Sequence, residues 1–159
     1  MLGLTFQIGE HRLALDVRHI TEVVPAVTLQ EVVGGPPWLA GLCLYRGHVA
    51  PVIDLYRLLG AGECPRHLST RIIFVRVPLD GEPRLLGLRA SKVADIRELP
   101  TRGESEEAND STDSSDRSNL GPVFVDRGEI IHLADLGGLL PESCRRAALR
   151  VSKELAAWT

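Results

Sequence analysis

A mainly β fold built from two similar small units is predicted for this chain, on three observations. Gly47-His-Val-Ala-Pro-Val-Ile-Asp54-Leu-Tyr-Arg-Leu-Leu59 returns as Gly128-Glu-Ile-Ile-His-Leu-Ala-Asp135-Leu-Gly-Gly-Leu-Leu140: a turn glycine, an apolar run, Asp-Leu and Leu-Leu in each copy. Elsewhere short apolar runs alternate with polar residues and are punctuated by Gly and Pro, the pattern of short strands. Only one stretch, Glu142 to Trp158, is long enough for a substantial helix. The echo extends backwards: Gly9-Glu10-His-Arg12-Leu13 resembles Gly81-Glu82-Pro-Arg84-Leu85, and Ile20-Thr-Glu22-Val23 resembles Val93-Ala-Asp95-Ile96 with one gap.

Taken in order, Leu4-Thr-Phe6-Gln-Ile8 and Leu13-Ala-Leu15-Asp-Val17 flank the Gly9-Glu10-His11 turn and predict an opening hairpin. Ile20 to Val24 is a third strand or a bent extension ending at Pro25. Leu39 to Tyr45 and Val49 to Asp54 flank Arg46-Gly47-His48 and predict a second hairpin. Leu55 to Leu59 is about one helical turn. Arg71 to Val77, Arg84 to Leu88 and Val93 to Leu99 repeat the theme, followed by Val123 to Val125 and Ile130 to Leu133. Strands this short imply curled sheets or small barrels, which leave few free edges. Residues 1–140 form the duplicated domain, about 1–68 in the first unit and 69–140 in the second, with strand exchange between them allowed. Residues 141–159 form the C-terminal helix, with Pro141 suited to its first turn and Ala148, Val151, Leu155 and Trp158 on a core-packing face.

The segment 102–119 has no large apolar residue to offset the entropy of ordering it and is expected to be an acidic, disordered loop inserted in the second unit. From Gly103 to Asn119 six carboxylates face only Arg117, a net of −5, so the rest of the chain is at +2 of the overall −3. That balance argues against a nucleic-acid partner, which requires clustered Lys and Arg. No apolar run approaches the roughly 20 residues that cross a bilayer, and the start lacks the marks of a signal peptide, so a cytoplasmic protein without direct membrane insertion is expected. Cys43, Cys64 and Cys144 are odd in number and widely spaced, and are read as small apolar groups.

No catalytic or metal constellation stands out. The five histidines are scattered, and Gly-x-Ser-x-Gly, phosphate-loop and zinc-ribbon patterns are missing from the sequence. Cys43 and His48 share a predicted hairpin but have no evident orienting acid or oxyanion hole, so a hydrolase is disfavoured. His132 is read as a core histidine, and Asp54 and Asp135 as structural caps of the turns that follow them. Trp38, after Pro36-Pro37, is read as core. Arg46, held at a tight turn between apolar strands, needs an acid, and Glu22 between Ile20 and Val23 is the candidate partner.

With these residues in view, Leu4 through Leu140 resembles the CheW-like coupling proteins of bacterial chemosensory systems. The pieces that carry the likeness are Phe6-Gln-Ile-Gly9 with Leu13-Ala-Leu-Asp16-Val17, Ile20-Thr-Glu22-Val23-Val24, Pro36, Gly41, the Arg46-Gly47 turn, Pro51-Val-Ile-Asp54-Leu55, and the ending from Gly121 and Ile130 to Leu140. The chain departs from the family pattern at Leu44-Tyr45, at Arg89-Ala90-Ser91 and in its acidic insertion. The resemblance implies two SH3-like five-stranded β-barrel subdomains with a further apolar core between them, and no enzymatic activity, cofactor or metal. It implies a non-catalytic adaptor that couples the cytoplasmic tip of a methyl-accepting chemoreceptor to the regulatory domain of a chemotaxis histidine kinase, in rings or arrays at the inner face of the membrane. Ile20, Glu22, Gly41, Arg46 and Gly47 match the positions of the family's receptor-binding groove; the kinase-binding residues are not identified. A single-partner competitor or array spacer is the alternative.

Overall fold

The computed structural model describes residues 1–100 and 121–156, with side chains as far as Val151. The expected disordered loop at 102–119 and the side chains of Leu155 and Trp158 lie outside the described residues. Among the described residues ten strands and three α-helices follow in order: β1 (Leu2–Ile8), β2 (His11–Asp16), β3 (Ile20–Pro25), β4 (Leu39–Tyr45), β5 (His48–Asp54), α1 (Leu55–Leu58), β6 (Arg71–Leu79), β7 (Glu82–Ala90), β8 (Ile96–Glu98), β9 (Val123–Asp126), β10 (Glu129–Leu133), α2 (Leu136–Leu139) and α3 (Glu142–Ala156), with a single 3-10 turn, Val17–His19, between β2 and β3. The hairpins form as their turns demand. Arg46-Gly47, Asp80-Gly81 and Arg127-Gly128 each place two residues in succession at positive φ, the type I′ geometry that matches strand twist.

The strands make two five-stranded sheets, ordered β8-β1-β2-β10-β9 and β3-β6-β7-β5-β4. Each is a mainly antiparallel curl with one parallel pairing, β2 with β10 and β5 with β7. The repeats, β1 to β5 and β6 to β10, are therefore not the barrels. Each sheet combines the first hairpin of one repeat with the last three strands of the other, so the seam between sheets does not fall near residue 68. One sheet is contiguous, from Ile20 to Ala90; the other is assembled from both ends of the domain around it.

Three apolar clusters result. Ala14, Leu99, Phe124 and Ile131 fill the discontinuous barrel, and Ala50, Val52, Ile72 and Phe74 fill the contiguous one. The largest lies between the sheets, where Leu4, Phe6, Leu13 and Leu15 meet Ile53, Ile73, Leu86 and Leu88. Strands here supply one face to their own barrel and the other to the shared core, which is why they are apolar on both faces. Trp38 packs half-buried against this shared core, and Cys144 and Ala148 of α3 enter it. Arg145 Nη1 donates to the carbonyl of Pro78 at 3.0 Å, fastening α3 to the end of β6.

The sheet register corrects one detail of the echo. Glu22 stands opposite Phe74 on β6, and Glu98 opposite Leu2 on β1. Phe74 and Leu2 correspond through the turn glycines Gly81 and Gly9, so Glu98, not Asp95, is the counterpart of Glu22.

Candidate protein-interaction site

The contiguous barrel has two edge strands, β3 and β4, and Glu22 clasps them together. Tyr45 donates its hydroxyl to Glu22, and Arg46 Nη2 donates to Glu22 Oε2 at 3.2 Å. The Tyr45 ring is stacked on buried Phe74 at 4.3 Å and 25°. Arg46, at φ 48 in its turn, holds its guanidinium 5.4 Å from the centre of the Tyr45 ring. The phenol proton is held by Glu22, and that hydrogen bond pushes the Tyr45 pKa up. With the Arg46 side chain 74% exposed and that of Glu22 38%, the ion pair contributes about 0 to 1 kcal/mol of stability. Its consequence is positional: three polar groups are fixed beside the exposed Leu44, at the turn between β4 and β5.

Of the residues expected at a binding groove, Glu22, Arg46 and Gly47 come together at this clasp, and Ile20 lies half-buried at the start of the same edge strand. Gly41 does not join them. It is buried at φ 152, and a Cβ there would sit 2.7 Å from the carbonyl oxygen of Gln30. The close approach that Gly41 permits is thus to the chain's own segment at Leu29 and Gln30, which bridges to Leu42. Tyr45 was not among the expected residues. Its signal was the departure from the family pattern at Leu44-Tyr45.

The other barrel carries a related but different closure. Arg97 of β8, its side chain 11% exposed, reaches Asp126 at 3.1 Å and Glu129 at 3.5 Å. Glu98 binds the amino group of Met1 at 2.9 Å, and Arg127, the counterpart of Arg46, stays exposed. Beside each Arg-Gly turn lies a cross-strand apolar pair facing outward: Leu44 opposite Val49 and Val125 opposite Ile130. Leu44, Val125 and Ile130 are 74%, 72% and 62% exposed, so the molecule presents two corresponding apolar ends.

Asp54 and Asp135 cap α1 and α2, accepting from the backbone N–H of Tyr56 and Gly137. Cys43 stands opposite Ala50, and desolvation pushes its thiol up, away from a nucleophilic thiolate. His132 is half-buried, with its ring edge-on to His11 at 5.4 Å. Among the described residues no group of three or more His, Cys, Asp or Glu is arranged to hold a metal, and no helix is long and apolar enough to cross a membrane.

Residues 2–144 match the family model described as the CheW-like domain. The chain is 31% identical over 153 residues to the protein FrzA of Myxococcus xanthus, covering 91% of this chain and 88% of that one. It is 23% identical over 145 residues to the chemotaxis protein CheW of Rhizobium meliloti (strain 1021), covering 91% and 90%. Among solved structures, the scaffolding protein TtCheW of Thermoanaerobacter tengcongensis superposes with a TM-score of 0.74 at 23% identity, covering 90% of this chain and 89% of that one. That likeness confirms the SH3-like double-barrel fold.

Proposed function

This chain belongs to the CheW-like family, and from that premise we propose that it is an adaptor bridging the cytoplasmic tip of a chemoreceptor to the regulatory domain of a chemotaxis histidine kinase. At the level of the family it is a scaffold or coupling protein of chemosensory signalling and not an enzyme. The finer reading is supported above all by the two corresponding apolar ends. Leu44 with Val49 and Val125 with Ile130 are outward pairs on separate barrels, so the protein holds two partners at once without either blocking the other. Two such ends also permit ring or array assembly.

In this reading the receptor lies along the edge that begins at Ile20 and runs past the Glu22–Arg46 clasp. Gly47 allows close approach there, Gly41 keeps the floor beneath β4 closed, and recruitment by the receptor places the protein at the inner face of the membrane. Reconstitution tests it: receptor cytoplasmic fragment, kinase and this chain together should give a kinase output that neither pair gives alone. Unchanged output on adding the chain would defeat the coupling role. Capture of kinase without receptor in separate pull-downs would establish the spacer instead.

A further inference from the structure

Two loops meet at a point the clasp does not use. The β5–β6 connection folds on itself around Thr70, whose Oγ1 donates to the carbonyl of Pro65 at 2.6 Å and accepts from His67 N–H at 3.3 Å. The β7–β8 connection is fastened to it by Val93 N–H, which donates to the carbonyl of Ser69 at 3.1 Å. From Pro65 to Arg71 and from Ser91 to Ala94 the sequence contains Arg66, Arg71 and Lys92 and no carboxylate. The flanking acids are engaged elsewhere, Glu63 with Arg57 at 3.4 Å and Asp95 with Arg97 at 3.6 Å. Arg71 caps the carbonyls of Leu68 and Thr70. Arg66 and Lys92 are exposed and make no ion pair among the described residues. On the same loop as Arg66, Leu68 is 94% exposed.

This cationic rim is continuous with the free edge of β3. Pro25 is paired directly with Arg71, three residues from Glu22, a run of about 10 Å along the strand. Val23 is exposed along the way, and Val27 just beyond Pro25. A segment lying on this edge meets the clasp first, then apolar side chains, and last the cations. Three cations fall short of the about four to eight of a lipid-binding cluster and of the about six to ten phosphate contacts of a nucleic-acid site. They suit one or two carboxylates set beside an apolar residue on a protein.

We propose that Arg66 and Lys92, around Leu68, dock a carboxylate-bearing stretch of the receptor tip and so fix the direction in which the receptor lies along β3. The proposal rests on the receptor reading above and adds the polarity that an apolar edge alone does not impose.

The test is the affinity of the receptor's cytoplasmic fragment for the full chain across a range of salt, in wild type and in Arg66→Glu/Lys92→Glu. The expected result is binding about tenfold weaker for the double variant at low salt, with its salt dependence flattened. The thermal melt and the affinity for the kinase regulatory domain should not change. Equal affinity and salt dependence in the two proteins would overturn the assignment and leave the receptor reading standing; no fragment binding by wild type would defeat both. Retention of wild type, but not the double variant, on phosphatidylserine vesicles would reassign the rim to lipid. That result would overturn the proposal.

Discussion

Asp54 and Asp135 hold the same place in the two repeats, yet only Asp54 is sealed from solvent. Its carboxylate accepts from Tyr56 N–H at 2.9 Å, from Cys64 N–H at 3.1 Å and from Arg89 Nη2 at 3.0 Å. Asp135, exposed, accepts only from Gly137 N–H at 3.2 Å among the described residues. Asp54→Ala strands Arg89 and two backbone donors and should cost about 3 to 5 kcal/mol. Asp135→Ala removes a cap and should cost about 0.5 to 2 kcal/mol. Denaturant unfolding of the two variants measures the difference, and equal losses would mean that the Arg89 contact adds nothing.

Arg46→Ala should lower the affinity for a receptor fragment while costing less than about 1 kcal/mol of stability, because the pair with Glu22 is largely solvated. A thermal melt run beside the binding assay separates the two effects. An unfolded variant would make Arg46 a structural residue and remove it from the interaction site.

The thiols should differ in reactivity. Burial pushes Cys64 and Cys144 up to about 11, so neither offers much thiolate at neutral pH. Cys43 is half-buried and also raised, by desolvation alone. In a timed alkylation of the native protein Cys43 should be modified first and the other two only on unfolding. Early modification of Cys144, read by peptide mass, would show that α3 lifts from the shared core.

Acid should weaken the fold partly through Asp16. The hydrogen bond from the Arg18 side chain holds its carboxyl below the ordinary 3.8, against the opposing effect of burial. A depressed folded-state pKa stabilises the protein at pH above the ordinary value, and that contribution is lost as pH falls through the folded-state pKa. Asp16→Asn should therefore be less stable than wild type at neutral pH, and the gap should close in acid. Asparagine can still accept from Arg18 N–H, so a gap independent of pH would mean that the charge of Asp16 contributes nothing.

Gly41→Ala should destabilise more than Gly47→Ala. At Gly47, φ 78 with nothing within 4 Å of a new Cβ, the cost is backbone strain of about 1 to 2 kcal/mol. At Gly41 the same strain is joined by collision with the Gln30 carbonyl and the Leu29 side chain. Comparable melts for the two variants would show that the 29–30 segment yields easily.

The duplication, the hairpins and the short strands were legible because turn glycines and apolar alternation are local signals. The Glu22–Arg46 contact was legible for a related reason: a charged residue set among apolar ones on a strand must find its complement. The exchange of strands between repeats was not fixed by any residue, since β2 pairs with β10 through backbone groups that every sequence supplies. Tyr45 escaped because its place in the clasp depends on Phe74, a residue of the other repeat brought beneath it by that exchange. The cationic rim escaped as well, for Arg66 and Lys92 are far apart in the chain and meet only through the bond between Ser69 and Val93.

The nesting of one sheet inside the other sets an order of events during synthesis. The stretch from Ile20 to Ala90 holds all five strands of its barrel and is free to close while the remainder is still being translated. The leading hairpin has no such opportunity. Phe6, Ile8, Leu13 and Leu15 can pack on that barrel once it closes, but Thr5 and Ala14 on the opposite face, both fully buried at the end, wait for Ile96 to Leu133 to leave the ribosome before their own sheet exists. The leading strands are thus the last to be completed, and until then the nascent chain carries a hairpin with one face bare and both edges unpaired, the condition under which chaperones are recruited and aggregation begins.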